Sequence, residues 1–123
     1  MFEIRAIRKA YADAPKIVDE MADVFTLAMR LHKPGGHSPA ADREYRLRKA
    51  VLLDRVALSK GKPWAPEAAA DAEWAAEEAA VTFTSADRLD GTAAGPMTPE
   101  NARQQGAYRD YVRQEYARWL ADQ

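Results

Sequence analysis

The sequence predicts an all-α fold, a helical bundle of about four main helices plus a short N-terminal helix, built as one domain over residues 1–123. Three observations carry this expectation. Apart from Gly106, proline and glycine fall at Pro15 and then in clusters at 34–39, 61–66 and 91–99, leaving stretches of helical length between them. Within those stretches apolar residues recur every three or four positions. Alanine, the best helix former, supplies much of the 47% hydrophobic content, and charged residues make up 30%. Alanine buries little area, so the core is expected to lean on Phe25, Met29, Leu52, Trp74, Phe83, Tyr108, Trp119 and Leu120.

From Phe2 to Ala12 the apolar residues Ile4, Ile7 and Tyr11 keep helical spacing. Phe2, Ile4 and Ala6 also alternate, but a lone strand has nothing to pair with, so a short helix is expected. Asp13-Ala14-Pro15 opens the next helix, with a capping residue ahead of a first-turn proline. Ile17, Met21, Val24, Phe25, Ala28, Met29 and His32 then form one apolar stripe, which places His32 in the core. Pro34-Gly35-Gly36 ends that helix. Ser38-Pro39 starts a basic helix running to about Ser59, and an acidic helix follows from about Ala65 to Thr84. On the acidic helix Ala69, Ala72, Ala76, Ala80 and Phe83 make a face of mostly small residues, suited to close packing on another helix. Residues 85–97 are expected to be a long loop. Thr98-Pro99-Glu100 opens the last helix, with Tyr108, Tyr111, Val112, Trp119 and Leu120 on a broad aromatic face.

Charge is divided sharply between the two central helices. Residues 40–62 hold seven basic side chains against Asp42, Glu44 and Asp54; residues 64–90 hold seven acidic ones against Arg88. Such a split suits an intramolecular helix pair, or a charged face offered to a partner. The basic helix is also apolar on two sides, Tyr45, Leu52 and Val56 on one and Leu47, Val51 and Leu58 nearly opposite. A helix of that kind touches two neighbours, either both in its own chain or one in a second chain.

Several function classes drop out. The chain has no cysteine, which removes disulfides, thiolate zinc sites, iron–sulfur clusters and cysteine nucleophiles. Charges interrupt the N-terminal residues where a signal peptide needs an apolar run, and the longest uncharged apolar stretch, near Val24 to Met29, cannot span a bilayer. A cytoplasmic protein without membrane association is expected. His32 and His37 are the only histidines, and neither sits in a metal-ligand spacing with Asp42 or Glu44, so no metal or other cofactor is expected. Ser38, Ser59 and Ser85 lack nucleophile-elbow glycines, and the acid pairs Glu73/Glu77 and Glu77/Glu78 have no histidine at helical spacing; a non-enzymatic role follows. The run Lys33-Pro34-Gly35-Gly36-His37-Ser38-Pro39 has the makings of an anion cradle at a helix start, but caps for two helices explain it more simply.

What remains is binding. The expected function is that of a self-associating or adaptor-type regulator acting through protein–protein contacts, with a second copy or another protein as partner. Its interface candidates are Leu47, Val51, Leu58, Tyr111 and Tyr116. The alternative is a nucleic-acid accessory protein whose basic helix presents Arg43, Arg46, Arg48, Lys49 and Arg55 to phosphates.

Overall fold

The computed structural model describes Ile7 and residues 9–59, 66–92 and 95–123. Every regular element among them is a helix: α1 (Ile17–Leu31), α2 (Pro39–Leu58), α3 (Pro66–Asp90), α4 (Pro99–Gln105) and α5 (Tyr108–Ala121). Most of the expected N-terminal helix lies outside the described residues, although Ile7, Lys9 and Ala10 are helical.

Two helix starts follow the capping logic of the sequence. Ser38 accepts a hydrogen bond from the Ala41 amide at 3.0 Å and Pro39 occupies the first turn of α2. Thr98 and Asn101 cap each other's backbone amides at the start of α4. Three boundaries differ from expectation. Helix α1 begins at Ile17 behind Lys16, which makes no side-chain cap, so Asp13-Ala14-Pro15 stands ahead of the helix instead of opening it. The acidic helix continues to Asp90, so residues 85–90 of the expected 85–97 loop are helix, and it stops at Gly91, whose φ of +70° favours glycine. The extra length brings Asp87 into the bundle. The last helix is broken in two by Gly106, at φ +65°, which turns the chain between α4 and α5.

Helix α2 is the centre of the arrangement. It packs on α1, α3 and α5, while α3 also meets α4 and α5; α1 touches no other described helix than α2. The α2–α3 contact is the closest fit, because Ala76 and Ala80 of α3 let the two axes approach over Phe83. Leu47, Ala50 and Val51 of α2, Ala80 and Phe83 of α3, Ala102 of α4, and Tyr111, Val112 and Tyr116 of α5 form the apolar core. Each large side chain fully buried here stabilises the fold by about 1.5–3 kcal/mol relative to leaving it in water. Phe83 and Tyr111 lie with ring centroids 5.9 Å apart, and Tyr116 stacks on Trp119 at 5.8 Å.

One apolar side of α2 is thus largely covered within the chain, and the other is half-buried beside α1. Leu47 and Val51 face α3 and α5, and Tyr45 and Leu52 face α1. The expectation that Leu47, Val51, Tyr111 and Tyr116 stand at a partner interface is corrected by their complete burial: they are the middle of the core. Leu58, 37% exposed at the end of α2, is the one member of that set with an open surface. The expected core changes in the opposite sense, since Phe25, Met29 and Trp74 lie at the surface and His32 is exposed with them.

Candidate interaction face

Six charged side chains of the bundle, Glu20, Asp54, Asp87, Arg109, Arg113 and Glu115, are buried. Asp54 of α2, buried at a core-facing position, accepts from Arg109 Nε at 2.6 Å, from Arg113 Nε and Nη2 at 2.8 Å each, and from the Tyr11 hydroxyl. Arg109 also reaches Glu73 of α3. On the other side of the aromatic core Asp87 accepts two bonds from Arg43 at 2.8 Å and one from the Tyr111 hydroxyl at 2.7 Å. Arg43 extends to Glu115 at 2.9 Å. These are charge-assisted, partly bidentate bonds, the strong class, and they tie α2 and α3 to α5.

The same geometry moves proton affinities. Burial, reinforced by the Asp87 carboxylate, raises the Tyr111 hydroxyl far above the ordinary tyrosine range. Burial and then Asp54 do the same to Tyr11. Burial followed by Glu20 pushes Tyr116 up to about 12. Burial works against the charged form of Arg109 and Arg113, but the carboxylates around them win and hold both guanidinium groups above their usual affinity.

The nucleic-acid candidates on α2 are thereby separated. Arg43 is bound to Asp87 and Glu115. Arg48 pairs with Glu44 at 3.0 Å, Asp23 at 3.1 Å and the buried Glu20 at 3.4 Å, and lies 4.9 Å from the centre of the Trp119 ring. Arg46 approaches Asp90 at 3.9 Å, and Arg55 covers the Tyr11 ring at 5.8 Å. Lys49 is exposed beside Tyr45. The basic helix thus carries a set of intramolecular partners around its circumference instead of one cationic strip.

Part of the surface that the bundle leaves open is apolar. Along α1, Val18, Met21, Phe25 and Met29 are at least half exposed, Phe25 by 68%. They follow one another at spacings of three and four residues and so share one side of the helix. The opposite side, Glu20, Val24, Leu27 and Leu31, packs on α2. Met21 and Phe25, with Ala22, Val24 and Ala28, form one wall of a shallow groove of about 530 Å³, and Tyr45 and Leu52 of α2 form the other. A second groove of about 410 Å³ runs between α2 and α3, from Tyr45 and Lys49 past Leu53 to Trp74, which is 68% exposed. Tyr45 lines both, so the face crosses three helices with Phe25 at one side and Trp74 at the other.

A third cleft of about 370 Å³ lies towards the α1–α2 turn and holds His32, His37, Asp42, Tyr45 and Arg46. His37 Nδ1 is 2.9 Å from Asp42 Oδ1. Among the described residues no three side chains of metal-ligating type converge, and no described helix is long and apolar enough to cross a membrane. The glycines between α1 and α2 form a tight turn, with the Gly36 amide donating to the Lys33 carbonyl at 2.9 Å.

Reading the sequence missed the α1 face for an identifiable reason. The stripe Ile17, Met21, Val24, Phe25, Ala28, Met29 and His32 is only part of the apolar surface of α1, and Leu27 and Leu31 continue the arc round the other side. At 100° per residue the apolar arc of α1 exceeds half the circumference, more than a single neighbour covers. That excess width was the available signal. No family model matches the chain, and neither the curated proteins nor the solved structures compared with it give a match.

Proposed function

We propose that this protein works by protein–protein contact through the face formed by α1 and the two grooves that flank α2. The observation that carries this reading is the row Val18, Met21, Phe25 and Met29 on the outer side of a helix that packs on one other helix among the described residues. Scattered exposed apolar residues need no explanation, but a contiguous row lining a groove is the kind of surface that marks an interaction site. Methionines beside an aromatic anchor suit such a surface, since the thioether chain adapts to a partner and the ring supplies area at low entropic cost. The role is that of a self-associating or adaptor-type regulator. The nucleic-acid alternative draws less support, because Arg43 and Arg48 would have to leave carboxylates already bound at about 3 Å.

The test is a photo-crosslinking residue placed at position 25 in the native host, with one at Gln104 on the exposed side of α4 as control. Position 25 should give discrete protein adducts and position 104 should not. Equal labelling at the two positions, or none at either, would refute the reading.

A further inference from the structure

We infer that α1 is a hinged strap, which lifts from α2 and melts as one unit while α2, α3, α4 and α5 stay folded. This goes beyond the contact reading and holds whether or not a partner uses the α1 face.

The first observation is where the core lies. Its buried residues come from α2, α3, α4 and α5, and the half-buried side chains packed around it include Tyr11 and Ala14 but none from α1. The core therefore closes without α1. On the inner side of α1 the buried residues are Val24, Leu27, Leu31 and the charged Glu20. A fifteen-residue helix is marginal in water by itself, so α1 owes its form to that one seam. Few buried apolar contacts are the mark of a region that opens before the rest.

The second observation is the quality of the seam. Among the described residues Arg48 is the one side chain of α2 that bonds to α1. It meets Glu20 at 3.4 and 3.5 Å, long for a charge-assisted bond, and the exposed Asp23 at 3.1 Å. The bonds from Asp54 and Asp87 to α5 run from 2.6 to 2.8 Å. The Tyr116 hydroxyl of α5, which burial and then the Glu20 charge hold protonated, has no hydrogen-bond partner and adds nothing to the hold on α1. The joint under α1 is thus the weakest of the bundle.

The third observation is the pair of anchors. Ahead of α1 the Tyr11 hydroxyl donates to Asp54 and its ring packs edge-on against Tyr116. Behind α1, Ser38 caps α2. Both anchors sit on the part that stays folded, so residues 15–36 form a loop with fixed ends, and the opened strap stays near its seat. Opening leaves Glu44 as the acid on Arg48 and uncovers Tyr45 and Leu52. The strap therefore sets how often this side of α2 meets the solvent.

Native-state hydrogen exchange of the full chain, followed by NMR through a series of low urea concentrations, tests this. The amides of Val24, Leu27 and Ala28 should be protected roughly tenfold or more less than those of Val51 and Val112. They should share one urea slope, smaller than that of Val51 and Val112 but not zero, because lifting α1 exposes less surface than unfolding the whole chain. Val112→Ala should speed the α5 amides and leave the α1 amides unchanged, since the closed and the opened forms both keep the core that Val112 fills. One protection and one slope for α1 and α5 would overturn the proposal, because α1 would then unfold with the bundle. So would α1 amides without any urea slope, or a Val112→Ala variant that speeds α1 and α5 by the same factor. The urea series on the unaltered chain decides the matter by itself if that variant does not fold.

Discussion

Helices α1 and α5 carry comparable numbers of large side chains and meet opposite fates. In α5 the rings Tyr111 and Tyr116 and even the charged Arg109, Arg113 and Glu115 are buried, because α2 and α3 both lie against it. In α1 the apolar Val18, Met21, Phe25 and Met29 stay in water, because only α2 does. The number of neighbours, and not the polarity of the residue, decides what is buried. A guanidinium goes inside where carboxylates wait for it, and a phenyl ring stays outside where no second helix arrives.

That contrast is broken most severely at Asp54. Asp54→Ala leaves Arg109 and Arg113 buried without their shared carboxylate and should cost about 3–5 kcal/mol, read from urea or guanidinium unfolding. A loss below about 1 kcal/mol would mean that the two arginines reach solvent. Next comes Tyr111→Phe, which keeps the ring against Phe83 but leaves one Asp87 oxygen short of a donor, for about 1–3 kcal/mol.

Alkaline titration sharpens the comparison from the same side. Tyr11, Tyr111 and Tyr116 bind their protons more tightly in the folded chain than in the unfolded one. Their contribution to stability is therefore complete below the ordinary tyrosine range near pH 10 and is lost as pH rises above it. Phenolate absorbance should show these three rings ionising together with loss of the helical signal. Early ionisation in a folded chain would contradict their burial.

Gly106→Ala tests the break between α4 and α5. No atom lies within 4 Å of the added Cβ, so only the left-handed backbone resists, and about 1–2 kcal/mol is expected. The smallest effect belongs to α1, where Phe25→Gln with Met29→Gln should change stability by no more than about 0.5 kcal/mol. A large loss there would show that the α1 face supports the monomer.

The helical class, the caps at Ser38 and Thr98 and the alanine face of the acidic helix could be read directly, because each depends on residues close in sequence. The bundle's inner charges could be read only in part. Leu47, Val51, Asp54 and Leu58 fall at one helical spacing, as do Arg109, Val112, Arg113 and Tyr116, so polar residues at core-facing positions were visible. Which arginine meets which carboxylate was not, since the partners are 44 to 72 residues apart for Arg43 and 55 and 59 apart at Asp54. The interface residues were exchanged with core residues because periodicity finds an apolar face and does not count the helices that come to cover it. The α1 face became visible only once α1 was seen to have one neighbour.

The long reach of those ties also orders events during synthesis. Asp54 leaves the ribosome well before Arg109 and Arg113, the residues that neutralise it, while Asp87, whose counter-charge Arg43 precedes it, still waits for the Tyr111 hydroxyl. Until α5 emerges, packing α2 on α3 buries Asp54 with no guanidinium from α5 in place and leaves Leu47 and Phe83 uncovered. The first three helices are thus held short of a finished core, and the last fourteen-residue helix acts as the clasp that closes it.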